Sequence, residues 1–352
     1  MPMTIFKKLK FWQYWEEWPK VLFYAPISLV WGWYCLRSRS FWFFSSSNPT
    51  LTLGGFEGEG KKEMYEQLPL GSYPNTFFVQ PNQSFESIKT RILEHHLSLP
   101  IAVKPDVGMG GLLFRKIDTL HQLQQYHNDC PVDYMVQAWV DYPIELGVFY
   151  CRHPDSHKGE IMGITQRTPI AVVGDGQSTL LELMEQHPRA KPRLVALKVT
   201  HSIALDRVIE AGLTFMVTHV ANRSQGAQLN NLQTEIDDSL RKIFDDLSHY
   251  TGAFFYGRYD IKCNSLSDLK AGKNYQILEF NGAGAAPHHL YHCGLTLWQA
   301  YAEIIRHWQY LFEISKANHK KGINYWPFWR GIQFLWQSKR HFKQLKLYES
   351  IL

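Results

Sequence analysis

The chain is poor in the features that mark small secreted or metal-stapled domains. Its five cysteines, Cys35, Cys130, Cys151, Cys263 and Cys293, are odd in number, scattered, and form no C-x-x-C pair. That excludes a disulfide framework or zinc module and fits a reducing, cytoplasmic setting. It has no low-complexity tract and no internal repeat. With 45% hydrophobic and 20% charged residues it is neither disordered, collagenous nor a long coiled coil. At 352 residues it exceeds one typical domain of roughly 100–200, so one large or two to three smaller units are expected. A clean membrane span is also missing. Val21 to Leu36 is an uncharged run of 16 residues between Lys20 and Arg37. As a helix it reaches about 24 Å, short of a hydrocarbon core of about 30 Å. Pro26 interrupts it, and it is followed by Arg37, Arg39 and SSSNP, with no small-residue cleavage site of a secretory signal.

What is present is an uneven distribution of charge and tryptophan. Residues 1–44 carry six Lys/Arg against two Glu, or +4, and residues 316–352 carry eight against one, or +7. The net charge is +5, so the middle carries −6. Nine of the twelve tryptophans lie in the two basic ends. Tryptophan mixed with Lys/Arg is the composition of a membrane–water interface. The C-terminal stretch places Phe328, Ile332, Leu335, Trp336, Phe342 and Leu345 at three- and four-residue spacings among cations and reads as a basic amphipathic helix. The expectation is a protein peripheral to the inner face of the cell membrane, held to an anionic surface by its ends. The ordinary alternative is that both ends pack on the body, or on a second subunit of a homodimer. An acidic body and apolar ends speak against nucleic acid.

The body alternates short strands and helices, which indicates an α/β or α+β fold. Thr76–Val79, Pro100–Lys104, Leu112–Phe114, Tyr134–Trp139 and Glu145–Cys151 read as strands, and 84–96 and 119–126 as helices. Thr179-Leu180-Leu181-Glu182 is a capping box opening a helix, and Ile236, Leu240, Ile243, Phe244 and Leu247 make 235–250 an amphipathic helix. The segments FFYGRYDIKC and YQILEFNGAGAAP read as two strands of a hairpin. SSSNPTLTLGGFEGEGKK, rich in Gly, Ser and Pro, reads as a boundary. The divisions drawn are 1–47, 48–96, 97–315 and 316–352.

Three features carry chemistry. Lys104 ends an apolar strand and precedes Gly108, Gly110 and Gly111, so a cation sits beside a loop whose backbone can approach phosphate closely. Gln137 and Trp139 lead to Glu145, offering polar groups to an adenine edge and a carboxylate to ribose hydroxyls. Arg258 and Asp260 are two apart on one strand, as are Glu279 and Asn281 on another. Each pair shares a face, and if the strands are antiparallel neighbours they form a hard-oxygen Mg²⁺ site with an arginine beside it. Each feature alone has an ordinary reading: a surface lysine before a turn, an amphipathic strand, a cross-strand salt-bridge cluster. His288, His289 and His292 do not have zinc-signature spacing and read as a substrate-side loop or helix start.

In this order IAVKPDVGMGG, VQAWVDYPIELGV, GRYDIKC and ILEFNGAGAAP resemble the ATP-grasp carboxylate–amine ligases over roughly residues 97–300, the resemblance to D-alanine:D-alanine ligase being clearest in the last pair of strands. TPIAVVGDGQSTLLELM followed by HVANRSQGA resembles cyanophycin synthetase and the fused glutathione synthetases. The resemblance implies an α+β, ATP-grasp fold, two α/β subdomains gripping ATP, here with aromatic-basic helical extensions at both ends. It implies Asp260, Glu279 and Asn281 as Mg²⁺ ligands, and Arg258 and Lys104 as catalytic cations, Lys104 also contacting ATP phosphates. By the same resemblance Gln137 would take the place of the usual hinge acid, Glu145 would bind ribose, and Asn222, Ser224 and Gly226 would lie near the triphosphate. Gly282 and Gly284 fall at the acceptor-substrate loop. The implied activity is an ADP-forming ligase that makes an amide through an acyl phosphate, using ATP and Mg²⁺. Its substrate would be an amino acid, a peptide or a lipid-linked molecule. The alternatives are a non-catalytic nucleotide-binding scaffold at the membrane, or phosphoryl transfer without an amine acceptor. The first 96 residues lack the usual ligase N-terminal domain, so the resemblance does not carry over substrate identity.

Overall fold

The computed structural model describes residues 15–218, 226–291 and 293–349. The apolar N-terminal run is a bent helical segment. Helix α1 (Lys20–Tyr24) gives way at Pro26 to a 3-10 turn, and α2 (Ser28–Ser38) follows, ending at Arg39 in a left-handed conformation. Proline supplies no amide hydrogen, so the break falls where the ladder loses a donor. The run lies on the body: Phe23 and Ile27 pack with Tyr301 and Ile304, and Tyr34 stacks on Phe312 at 4.7 Å. Among the described residues no helix is long and apolar enough to cross a membrane.

Helix α3 (Lys61–Tyr65) precedes the first lobe, a four-stranded antiparallel sheet in the order β1-β4-β2-β3. Its strands are β1 (Thr76–Val79), β2 (Ile101–Pro105), β3 (Arg115–Ile117) and β4 (Tyr134–Ala138). Helices α4 (Phe85–Glu94) and α5 (Leu120–Asp129) cover one face. Period-two alternation sorts the side chains: Ile101, Val103, Tyr134 and Val136 face these helices, whereas Ala102, Lys104 and Gln137 face the other way, onto a cleft. Leu112–Phe114, expected as a strand, is a turn, and the strand begins at Arg115. Leu113 there has φ 56°, outside extended geometry.

The second lobe is a five-stranded antiparallel sheet, β11-β10-β5-β6-β9. It comprises β5 (Ile144–Cys151), β6 (Glu160–Thr168), β9 (Gln228–Asn231), β10 (Tyr256–Cys263) and β11 (Tyr275–Asn281). A small two-stranded antiparallel sheet, β7 (Ala171–Val173) with β8 (Thr214–Met216), packs with α6 (Leu180–Gln186) and α7 (Leu194–Thr200) around its own apolar cluster. The capping box at Thr179 is formed, as expected. Helix α8 (Asp238–Thr251) buries Leu240, Phe244 and Leu247 against Tyr259 and Ile261 of β10. After α9 (Leu266–Lys270) and β11 come two long helices, α10 (Leu297–Lys320) and α11 (Phe328–Glu349). The fold is thus the expected α+β class, two antiparallel-sheet lobes with helical ends.

Three features differ from the sequence reading. The stretch read as a boundary is core: Ser46, Ser47 and Asn48 are fully buried. Gly, Ser and Pro mark where a chain turns, and here the turn is internal, its polar groups paired. The C-terminal helix does not present one apolar face. Phe342 and Leu345 pack inward with Leu113, whereas Phe328, Ile332 and Trp336 point outward. Finally, β1 pairs with β4 and α10 runs unbroken from 297 to 320, so the divisions drawn at 96/97 and 315/316 cut a sheet and a helix.

Candidate active site

Antiparallel pairing of β10 with β11 sets Arg258 opposite Asn281 and Asp260 opposite Glu279, the register that the chemistry requires. Alternation along β10 sends Tyr259 and Ile261 into the core and Arg258, Asp260 and Lys262 into a cleft of about 1200 Å³ between the lobes. Lys104 and Gln137 reach the same cleft from the first sheet, Trp139 from the connection into β5, and Glu145 from the start of β5 itself. Nearly all the described candidate residues therefore converge.

Asp260 is at the electrostatic centre. Arg258 donates to both its oxygens, from Nε at 2.7 Å and Nη2 at 3.1 Å. Arg167 Nη1 donates to Oδ2 at 3.1 Å, and Asn281 Nδ2 to the same oxygen at 3.3 Å. Burial alone would raise the Asp260 carboxyl, but Arg167 and Arg258 outweigh it and hold the group well below the usual carboxylate range. Arg167 also pairs with Glu145, Nη2 to Oε1 at 3.1 Å, so one guanidinium bridges Glu145 and Asp260. The Glu145 carboxyl is nevertheless raised by burial, against Arg167 and Lys262. Gly147, opposite Asp260 in the register, leaves room for Arg258: a Cβ there would lie 3.2 Å from the Arg258 Cδ.

Lys104 donates to the Leu278 carbonyl at 3.2 Å. Burial, reinforced by Lys61, pulls its ammonium from 10.5 down to about 8, against Glu279, Asp260 and Glu145. The Gln137 amide nitrogen donates to Tyr65 Oη at 3.0 Å and Thr76 Oγ1 at 2.8 Å, leaving its oxygen as an acceptor. Lys116 and Lys262 lie 5.3 and 5.4 Å from the Trp139 ring centroid, a cation on each count within cation–π range. Gly110 and Gly111 have φ of 67° and 83°, a backbone that side chains resist, and a Cβ at Gly110 would meet nothing within 4 Å.

Gly282 has a packing role: a Cβ there would lie 2.4 Å from the Gly54 carbonyl oxygen. Gly284, whose Cβ would fall 1.8 Å from the Phe56 oxygen, packs likewise but also lines the cleft. Asn222 and Ser224 lie outside the described residues. Gly226, at the described edge of that segment, packs against Ile170 and Arg193.

Sequence reasoning missed Arg167, Lys61 and Glu59. Lys61 Nζ sits 3.3 Å from Glu279 Oε1 and donates to the carbonyls of Asp106 at 3.3 Å and Gly108 at 3.5 Å, tying the glycine loop to a proposed metal ligand. Glu59 lines the cleft nearby, its carboxyl raised to about 7 by burial, with Glu279 adding to the effect and Lys61 opposing it. The available signal for Arg167 was a lone arginine within the apolar strand EIMGITQRT. For Lys61 and Glu59 there was none beyond a charged stretch in a turn.

The donor set suits Mg²⁺, which takes carboxylate and carbonyl oxygens, and the cation set suits a polyphosphate. Arg167 Nε is buried without a hydrogen-bond partner among the described residues, an unspent donor within this cluster.

No protein-family model matches the chain, and no curated protein does. Among solved structures the chain is similar to a bifunctional glutathione synthetase from Pasteurella multocida, at 15% identity and TM-score 0.35, over 65% of this chain and 32% of that one. It is similar to D-alanine-D-alanine ligase from Coxiella burnetii, at 10% identity and TM-score 0.41, over 80% and 61%. The corresponding ligase from Bacillus anthracis gives 11% and 0.40, over 73% and 68%. The match thus spans about a third of the synthetase and 61% of the Coxiella ligase.

Proposed function

We propose that the protein is an ATP- and Mg²⁺-dependent carboxylate–amine ligase. The observation that carries this reading is the convergence, in one cleft, of three oxygen ligands with Lys104, Arg167 and Arg258 around them. Asp260, Glu279 and Asn281 would hold the magnesium. Gln137, Trp139 and Glu145 would take adenine and ribose. Mg-ATP would supply the γ-phosphoryl group that activates a carboxylate, leaving ADP, and attack by an amine would form the amide and expel inorganic phosphate.

The chain's own residues do the rest. Arg258 and Arg167 place fixed positive charge where negative charge builds on the transferred group. Lys104, neutral or charged near physiological pH, becomes fully charged when phosphate approaches, since an anion favours its protonated form. Gly108 to Gly111 form a loop light enough to settle over the phosphates and exclude water from a hydrolysable intermediate. His288, whose Nε2 lies 3.2 Å from Arg258 Nη1, stands at the opposite end of the arginine, towards the acceptor loop.

The same reading places the protein at an anionic membrane surface. Val21, Leu29, Trp33, Leu36 and Phe41 from the N-terminal segment are exposed, as are Phe328, Trp329 and Trp336 from α11. Phe41 and Phe328 meet edge to face at 5.9 Å, joining the two sets, with Arg37, Arg39, Arg330 and Arg340 nearby in sequence. An exposed apolar patch edged with cations suits a lipid interface, and a lipid-linked substrate would suit such a location. The site assignment is tested by Asp260→Asn and Glu279→Gln: each is expected to abolish Mg²⁺-dependent ATP turnover while the circular dichroism stays that of the wild type. Unchanged turnover in both overturns the metal assignment.

A further inference from the structure

Outside the carboxylate cluster of the cleft, three further ligand-type side chains converge. His289 sits in the 3-10 turn 288–290, and Glu303 and His307 lie four apart on α10, hence on one helix face. His289 Nε2 and His307 Nε2 are 3.4 Å apart. Glu303 Oε1 lies 3.5 Å from the first and 3.7 Å from the second. A point about 2.0–2.2 Å from all three atoms therefore exists, the range of Zn–N and Zn–O bonds, and ligands on a tetrahedral zinc are themselves about 3.3 Å apart. The three atoms are mutually close enough to serve as one ligand set: His289 Nε2, His307 Nε2 and Glu303 Oε1 all lie within 4.8 Å of one another.

The surroundings hold this arrangement in place. His289 occupies space that only a glycine at 163 leaves free: a Cβ there would lie 2.1 Å from the His289 Nδ1. The edge of Phe149 meets the His307 ring at 4.4 Å, and Tyr256 Oη lies 3.5 Å from His307 Nδ1, on the far side of the ring from Nε2. Arg306 Nη1 donates to Glu303 Oε1 at 3.1 Å and fixes the carboxylate. Both histidines are buried. Orientation of ligand imidazoles and carboxylates by such outer contacts is characteristic of metal centres.

We propose that His289, Glu303 and His307 form a binding site for a transition-metal dication of the Zn²⁺ class. Two imidazoles and a carboxylate favour zinc, cobalt or iron over magnesium. Three protein ligands leave a coordination position open, as in catalytic zinc sites. His307 also stands on the wall of the cleft, and His288, next to His289, touches Arg258. The metal would therefore tie the 282–291 loop to α10 beside the cleft wall.

The test uses the full-length protein, stripped with chelator, held in Mg²⁺, and titrated with Co²⁺ while the visible spectrum is recorded. The expected result is one equivalent of Co²⁺ giving the intense bands of a low-coordinate site, displaced by Zn²⁺. His307→Gln and Glu303→Gln lose those bands, and Asp260→Asn keeps them. A folded wild type without the bands overturns the site, as does a spectrum that survives in Glu303→Gln or vanishes in Asp260→Asn. Should His307→Gln not fold, the wild-type spectrum and Glu303→Gln decide. The readout is nucleotide-free, so its failure leaves the ligase reading standing.

Discussion

Lys104 links protonation to ligand binding most directly. The folded protein holds it at about 8 and the ordinary value is 10.5. Between these values the folded state binds fewer protons than the unfolded chain, so this group's contribution to stability rises with pH across that window and is lost as pH falls through about 8. Phosphate needs the charged form. The affinity for Mg-ADP is therefore expected to fall as pH rises above about 8, approaching tenfold per unit, and Lys104→Met is expected to bind weakly with no such slope. Calorimetric titration between pH 7 and 9.5 checks this, and an equal slope in both proteins contradicts it. The convergence of Arg258, Asp260, Glu279 and Asn281 was legible in the sequence, because i, i+2 spacing puts each pair on one strand face and the two runs read as a hairpin. Arg167 was not, since its partners Asp260 and Glu145 come from other strands and nothing local reveals that it bridges them.

Among elements, the segment Ser45–Asn48 shows how local reading fails. Asn48 Nδ2 donates to the carbonyls of Gly54 at 2.8 Å and Tyr256 at 2.9 Å, and its Oδ1 accepts from the amides of Phe255 and Tyr256 at 2.9 and 3.0 Å. One side chain thus staples the N-terminal loop to the start of β10, the strand carrying Arg258 and Asp260. Asn48→Ala leaves those groups buried and unpaired and is expected to cost about 2–4 kcal/mol. A urea melt measures it, and a loss under about 1 kcal/mol contradicts the staple. Strands β1, β2, β4 and β5 were legible to within a residue because each is a short apolar run bounded by turn formers. The buried polar turn was not, because Ser and Asn are inside only when partners distant in sequence satisfy them. Helix α11 was legible as a helix, but not its division into inward Phe342 and Leu345 and outward Phe328 and Trp336, which depends on where the first lobe lies.

At the scale of the molecule, two antiparallel lobes face one cleft, and the two aromatic-basic ends meet where Phe41 packs edge to face on Phe328, with exposed apolar side chains on both. If those side chains meet lipid, the wild type is expected to co-float with vesicles containing phosphatidylserine at low salt. Replacing Trp33, Phe328 and Trp336 together with serine is expected to reduce the bound fraction several-fold while leaving Mg-ADP affinity unchanged, and equal flotation of both proteins contradicts that contact. The ligase reading itself is tested by ADP release from the full chain in detergent with Mg-ATP, with amino acids, short peptides and lipid-linked acceptors supplied singly and in pairs. The account predicts release that requires a carboxylate and an amine compound together and disappears in Asp260→Asn. Release at the same rate without any acceptor, or in the presence of Asp260→Asn, would contradict it.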